Sequence, residues 1–169
     1  TPALLRLGWT ALAFATAGTA MIAVAPFGGG TPIMSNYVPV VESPAFLGGL
    51  ALFGIGGTLL VARGLFASPL VGIRLDGIGA LRFGLNAAIV AAAVALVALA
   101  WSYVALPDGL DGKARYELLF WGAGHVLQFT WTLLKLVAWL LLADAVGARM
   151  PLSPRVVAVL FAMALACVF

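Results

Sequence analysis

The sequence predicts an all-α membrane protein: a polytopic bundle of about five transmembrane helices, itself a segment of a larger bundle. Hydrophobic residues make up 64% of the 169-residue chain and charged residues only 9%, whereas a soluble domain carries about 25% charged residues. Apolar, weakly charged stretches also recur at the length that crosses ~30 Å of hydrocarbon. They are expected at residues 7–27, 45–65, 83–106, 116–143 and 156–169, and residues 1–169 read as a single transmembrane domain.

The first stretch, Leu7 to Phe27, is too long for the apolar core of a cleavable signal. It runs into Pro26 and a glycine-rich loop with no small-residue cleavage pattern, so it reads as a true first span. The following loop holds Gly28-Gly29-Gly30-Thr31-Pro32, then Ser35-Asn36-Tyr37 and Pro39. It is a turn-rich surface connection without a Gly-x-Gly-x-x-Gly pattern, so no nucleotide site is read there.

Small residues mark the second and third spans. Gly49, Gly54, Gly56 and Gly57 lie in one; Ala87, Ala91 and Ala95, with Ala88, Ala92, Ala93 and Ala98 nearby, lie in the other. Lipid gives helices no hydrophobic reason to associate, and such rows let backbones approach closely. Helix packing is therefore the expectation for them, ahead of room for a flat cofactor such as a porphyrin or quinone.

The second connection, Phe66 to Leu81, mixes Pro69, Gly72, Gly77 and Gly79 with Ile73, Leu75 and Ile78, and is expected to hold a short amphipathic segment at the membrane interface. The third contains Pro107-Asp108-Gly109 and Asp111-Gly112, strong turn signals that predict a tight antiparallel hairpin of spans three and four. The fifth stretch opens after Pro151 and Pro154 and covers only about 21 Å as a helix. With Thr1 at the start in place of Met, this predicts a processed product or an internal piece of a longer polypeptide; the alternative is a small subunit closed by a short helix. Cys167, the lone cysteine, excludes an intrachain disulfide and is read as a small packed residue.

Orientation follows the basic residues of the short connections. Arg6 flanks the start, Arg63, Arg74 and Arg82 the second connection, and Arg149 and Arg155 the fourth; the first connection has no basic residue and the third only Lys113 and Arg115. The N-terminal side is therefore expected in the cytoplasm, in a bacterial inner membrane. Glu42, Asp108, Asp111 and Glu117 fall on the opposite side. The net charge of +3 is spread along loops, which is a topology signal and no sign of a nucleic-acid partner.

Chemistry concentrates in the fourth span. Trp121, His125, Gln128, Phe129, Thr132 and Leu136 share one helical face and Lys135 lies at its edge. His125 is the only histidine, and an ionisable side chain inside a membrane is costly unless it binds a metal, relays a proton or pairs with a neighbour. Running inward from Tyr116, the helix places His125 in its outer part and Lys135 about 15 Å further on. Gly122 and Gly124 leave space for a bulky group beside the imidazole. The default for Lys135 is pairing with a carboxylate or a backbone carbonyl, and a proton-relay role is the other.

The run Leu119-Phe120-Trp121-x-x-Gly124-His125 resembles the sixth transmembrane helix of subunit I in the haem-copper oxidase superfamily, where oxygen-reducing members carry Leu-Phe-Trp-Phe-Phe-Gly-His-Pro-Glu-Val-Tyr. The resemblance implies that His125 is a copper ligand, that Trp121 packs beside that site and that Gln128 is a hydrogen-bonding residue behind it. It extends to the whole chain if the first span corresponds to the family's third. Val126, Leu127 and Phe129 replace the family's proline, glutamate and tyrosine, and the single histidine leaves the other haem and copper ligands to helices outside this chain.

The implied activity is terminal oxidation or nitric-oxide reduction, an oxidoreductase chemistry that this chain would not perform alone. Copper and haem are implied as cofactors, and cytochrome c or quinol as electron donor. Partners are the lipid bilayer and other integral subunits or the remainder of a longer polypeptide. The alternative is a noncatalytic integral subunit that stabilises a larger respiratory or photosynthetic complex. A carrier is a weaker third reading, since no symmetric pair of broken helices stands out.

Overall fold

A computed structural model describes residues 1–67, 76–148 and 152–169. Its helices are α1 (Pro2–Val24), α2 (Pro44–Ala67), α3 (Gly77–Ala105), α4 (Gly112–Ala145) and α5 (Pro154–Ala166). The all-α membrane class is borne out: among the described residues, α1 with the 3-10 turn that follows it, α2, α3 and α4 are each long and apolar enough to cross a membrane. At 13 residues, α5 is shorter.

Short polar residues set several helix starts. Ser43 Oγ accepts from the Phe46 amide at 3.2 Å, Asp76 Oδ1 from the Gly79 amide at 2.6 Å, and Ser153 Oγ from the Val156 amide at 3.4 Å. Each satisfies a donor that the first helical turn leaves unpaired. The Asp76 cap starts α3 at Gly77, ahead of the apolar stretch expected from residue 83, so that Gly79 is helical and buried. The proposed amphipathic segment of the second connection falls largely on residues 68–75, outside the described residues, as do Arg74 and Arg149.

Contacts divide the chain into two compact units, Thr1–Arg63 with Leu96–Gly124, and Gly64–Ala95 with His125–Phe169. In the first, α1 and α2 run antiparallel with their backbones nearly touching. A Cβ on Gly18 would stand 2.6 Å from the Gly49 carbonyl oxygen, and one on Gly56 2.7 Å from that of Ala11. Further along, Arg63 Nε donates to the Leu4 carbonyl at 2.9 Å. Gly54 and Gly57 do not join this seam: each faces open space, and Gly54 opens into an apolar groove of about 330 Å³ that Ile55, Thr58, Leu96 and Leu99 also line.

The first connection is more ordered than a plain turn-rich loop. After a 3-10 turn at Ala25–Gly28, Thr31–Pro32 (β1) pairs antiparallel with Val41–Glu42 (β2), Thr31 opposite Glu42. Gly29 and Gly30 reach φ of 84° and 137°, conformations that suit glycine; a Cβ on Gly30 would also strike Val41. The third connection turns at Gly109 (φ 83°), and Gly122 faces Ser102 across the α3–α4 hairpin.

In the second unit the alanine row is buried as expected. Ala80, Ala87, Ala88 and Ala91 of α3 pack with Leu133 and Val137 of α4 and with Val157 and Phe161 of α5. Gly84 admits both Phe161 and Val137, each 2.7 Å from where its Cβ would lie. The reading of Cys167 as a packed residue is corrected: it ends α5 as an exposed free thiol, because the buried face of that helix is the Val157 and Phe161 side. The Thr130 hydroxyl is buried with no hydrogen-bond partner among the described residues.

Gly49→Leu is expected to lower stability by about 1–3 kcal/mol, the range for overpacking, while Gly54→Ala is expected to raise it by up to about 1 kcal/mol through helix propensity alone. Thr130→Val, which removes the orphaned hydroxyl at nearly constant shape, is expected to be neutral or stabilising by about 1 kcal/mol. Thermal unfolding of the three variants in one detergent checks all of these.

Candidate functional site

The residues singled out on the fourth span sit on α4, a helix of 34 residues. At 1.5 Å per residue it is about 51 Å long, well beyond the ~30 Å of hydrocarbon. Its charged first turns, with Lys113, Arg115 and Glu117, make that end the one suited to project out of the apolar layer. This projecting end is where the first connection is fastened.

Three contacts do the fastening. Tyr116, buried, donates its hydroxyl to Glu42 Oε1 at 2.8 Å. Glu117 Oε1 accepts from the Asn36 amide at 3.2 Å and from Asn36 Nδ2 at 3.1 Å, and Lys113 Nζ lies 3.7 Å from the same oxygen. The Tyr37 ring fills the space beside Gly124: a Cβ there would be 2.7 Å from the ring. The bulky group for which Gly124 leaves room is thus a side chain of the protein's own first connection. Gly122 has Ser102 Oγ 3.8 Å from its would-be Cβ.

Further along α4, His125, Gln128, Thr132, Lys135 and Trp139 are all exposed, and Trp121, one turn before His125, is 60% exposed. The polar stripe therefore lies on the outer surface of this chain. Phe129 leaves it and packs against the alanine-lined core, a correction to its placement on the shared face: it lies toward the side of α4 that carries Leu133 and Val137. Lys135 also makes a contact within its own helix. Its Nζ stands over the Trp139 ring, 5.4 Å from the centroid, a cation–π contact made one turn further along the helix.

The described residues do not by themselves fit a copper or a haem. Among them no three His, Cys, Asp or Glu side chains come together, and His125 is the chain's single imidazole. The chain presents one nitrogen donor on an outward face, flanked by Trp121 and Gln128, and any complete metal site there needs donors from other helices. Sequence reasoning missed Tyr37, the Glu42–Tyr116 pair and Asn36–Glu117. Nothing local announces a pairing across so much intervening chain. Trp139 was legible, since it follows Lys135 at the i+4 spacing that brings helical side chains together.

No protein-family model and no solved structure matches the chain. Two curated proteins are similar to it, both described as uncharacterized. One, from Rickettsia prowazekii (strain Madrid E), is 29% identical over 136 residues, which is 78% of this chain and 26% of that protein. The other, from Aquifex aeolicus (strain VF5), is 31% identical over 119 residues, 69% of this chain and 29% of that protein. The chain thus spans less than a third of the length of these relatives.

Tyr116→Phe is expected to free the first connection from α4 at a cost of about 1.5–3 kcal/mol, the value of a hydrogen bond to a charged acceptor. Amide exchange across residues 31–42 is the measurement: faster exchange there, with α5 unchanged, is the expected pattern. Gly124→Val is expected to have the same local effect by displacing the Tyr37 ring.

Proposed function

We propose that this chain is a membrane-embedded segment of a larger helical protein of the haem-copper oxidase type, to which it contributes one metal-binding imidazole, His125. The observation that carries the reading is the Leu119-Phe120-Trp121-x-x-Gly124-His125 run on a membrane-length helix whose histidine faces away from the chain's own core. An imidazole turned inward onto Ala123, Leu133 and Val137 would be a packing residue; one on the exposed face can be approached by groups carried on other helices. When bound, a haem facing a copper supplies electron transfer from cytochrome c or quinol to a small gas. The residues of this chain would hold one ligand and shape one wall of that site.

Two independent circumstances support this reading. Both relatives are bacterial and are more than three times as long as the segment they share with this chain, which leaves ample chain for the missing donors. The basic residues Arg6, Arg63, Arg82 and Arg155 favour a cytoplasmic N-terminal side, in the bacterial inner membrane. That orientation places His125 in the outer part of α4.

A second reading is favoured by the Lys135–Trp139 contact and by the lack of grouped donors among the described residues. In it the chain is a noncatalytic integral part that stabilises a respiratory or photosynthetic complex, and His125 is an interhelical hydrogen-bonding residue.

Copper and haem content of the protein purified from its native membrane, in wild type and in His125→Ala, separates the two. Haem and copper in the wild type, with copper falling to background in the variant while helicity by circular dichroism is unchanged, is the expected result. Absence of both from the wild type would overturn the oxidase-type reading and leave the structural one.

A further inference from the structure

His125, Gln128, Thr132, Lys135 and Trp139 are separated by three, four, three and four residues, and every one of them is exposed. Alternating steps of three and four average 3.5 residues, the spacing that keeps one seam of a helix facing a neighbouring helix along several turns. A lipid-facing surface has no reason to keep that register, nor to place an amide at Gln128 and an ammonium at Lys135 within the span. Residues of this kind in membrane helices face a bundle interior or a cavity and are paired there.

From this we infer that the outward face of α4 is a docking seam for another transmembrane helix, one that carries an aspartate or glutamate at the level of Lys135. The argument from charge selects the occupant. Parallel packing of two copies about a twofold axis along the membrane normal would bring Lys135 against Lys135, a like-charge contact in a medium of low dielectric. A carboxylate opposite the ammonium removes that penalty, and the Trp139 ring beneath Lys135 shields the pair from one side. Thr132 and Gln128, one and two turns earlier, then donate and accept across the same seam.

On α3, Val97 and Val104 are exposed too, but they carry no hydrogen-bonding group, so lipid satisfies them. The contrast makes the α4 seam a place for protein. The inference does not depend on a metal at His125, since it rests on Gln128, Thr132, Lys135 and their register.

A photo-crosslinking side chain at Thr132, and for comparison at Val97, in the protein as it stands in its native membrane tests this. The expected outcome is a Thr132 crosslink whose sequenced peptide is an apolar, membrane-length segment with an Asp or Glu, and a Val97 crosslink to lipid. Lys135→Glu should lower the Thr132 crosslink by about three- to tenfold, the size of one interhelical polar contact. Lys135→Arg should keep it, and exchanging the partner's acid for lysine in the Lys135→Glu background should restore it. A Thr132 crosslink to phospholipid, to a second copy of this chain, or to a helix without a carboxylate would overturn the inference, as would a yield that Lys135→Glu leaves unchanged. Copper and haem content decides the oxidase-type reading separately, so the two can fail independently.

Discussion

The first unit depends on how closely two backbones can approach where water gives no help. In hydrocarbon the apolar side chains of α1 and α2 lose nothing by facing lipid, so association must come from dispersion between surfaces in contact. Glycine at positions 18, 49 and 56, with Ala11 and Ala15, removes the side chains that would hold the helix axes apart. Once that seam is closed, Arg63 reaches the Leu4 carbonyl at the end of the pair. The second unit follows the same rule with an asymmetry: alanines and Gly84 on α3 make hollows, and Leu133, Val137 and Phe161 fill them.

Much of this was legible in the sequence because membrane constraints are simple. Composition and run length identified the helices and the class, and alanine spacing identified the buried face of α3. The ends were less legible. Hydropathy reports where the chain is apolar enough for lipid, not where the helix stops, so the charged start of α4 at Gly112 and the Asp76-capped start of α3 lie ahead of the apolar stretches that begin at 116 and 83. Glycine was ambiguous for a related reason: within one short stretch, Gly49 and Gly56 serve close packing while Gly54 and Gly57 face open space. Only the rotation of α2 relative to α1 distinguishes them.

The candidate site divides along the same line. The stripe on α4 could be drawn from helical period alone, and most of it holds together on one exposed face. Its direction could not be drawn, because a polar row reads identically whether it points into a bundle or away from one. Phe129 illustrates the limit: periodicity grouped it with the stripe, yet it turns to the alanine-lined core. The contacts of Tyr37, Asn36 and Glu42 with α4 depend on the fold of a connection far away in the chain, which no local pattern encodes.

The short turn between α3 and α4 also bears on how the chain enters the membrane during synthesis. The spanning window of α3 has a mean hydropathy of 2.3, the highest of the four long helices, while that of α4 is 1.7, and α4 carries a histidine, a glutamine and a lysine. A helix of that kind partitions reluctantly on its own. Joined to α3 by only the few residues from Leu106 to Asp111, it can leave the translocation channel together with its strongly apolar predecessor, as a helical hairpin. The more polar member of the pair would then reach lipid already shielded along its alanine-facing side.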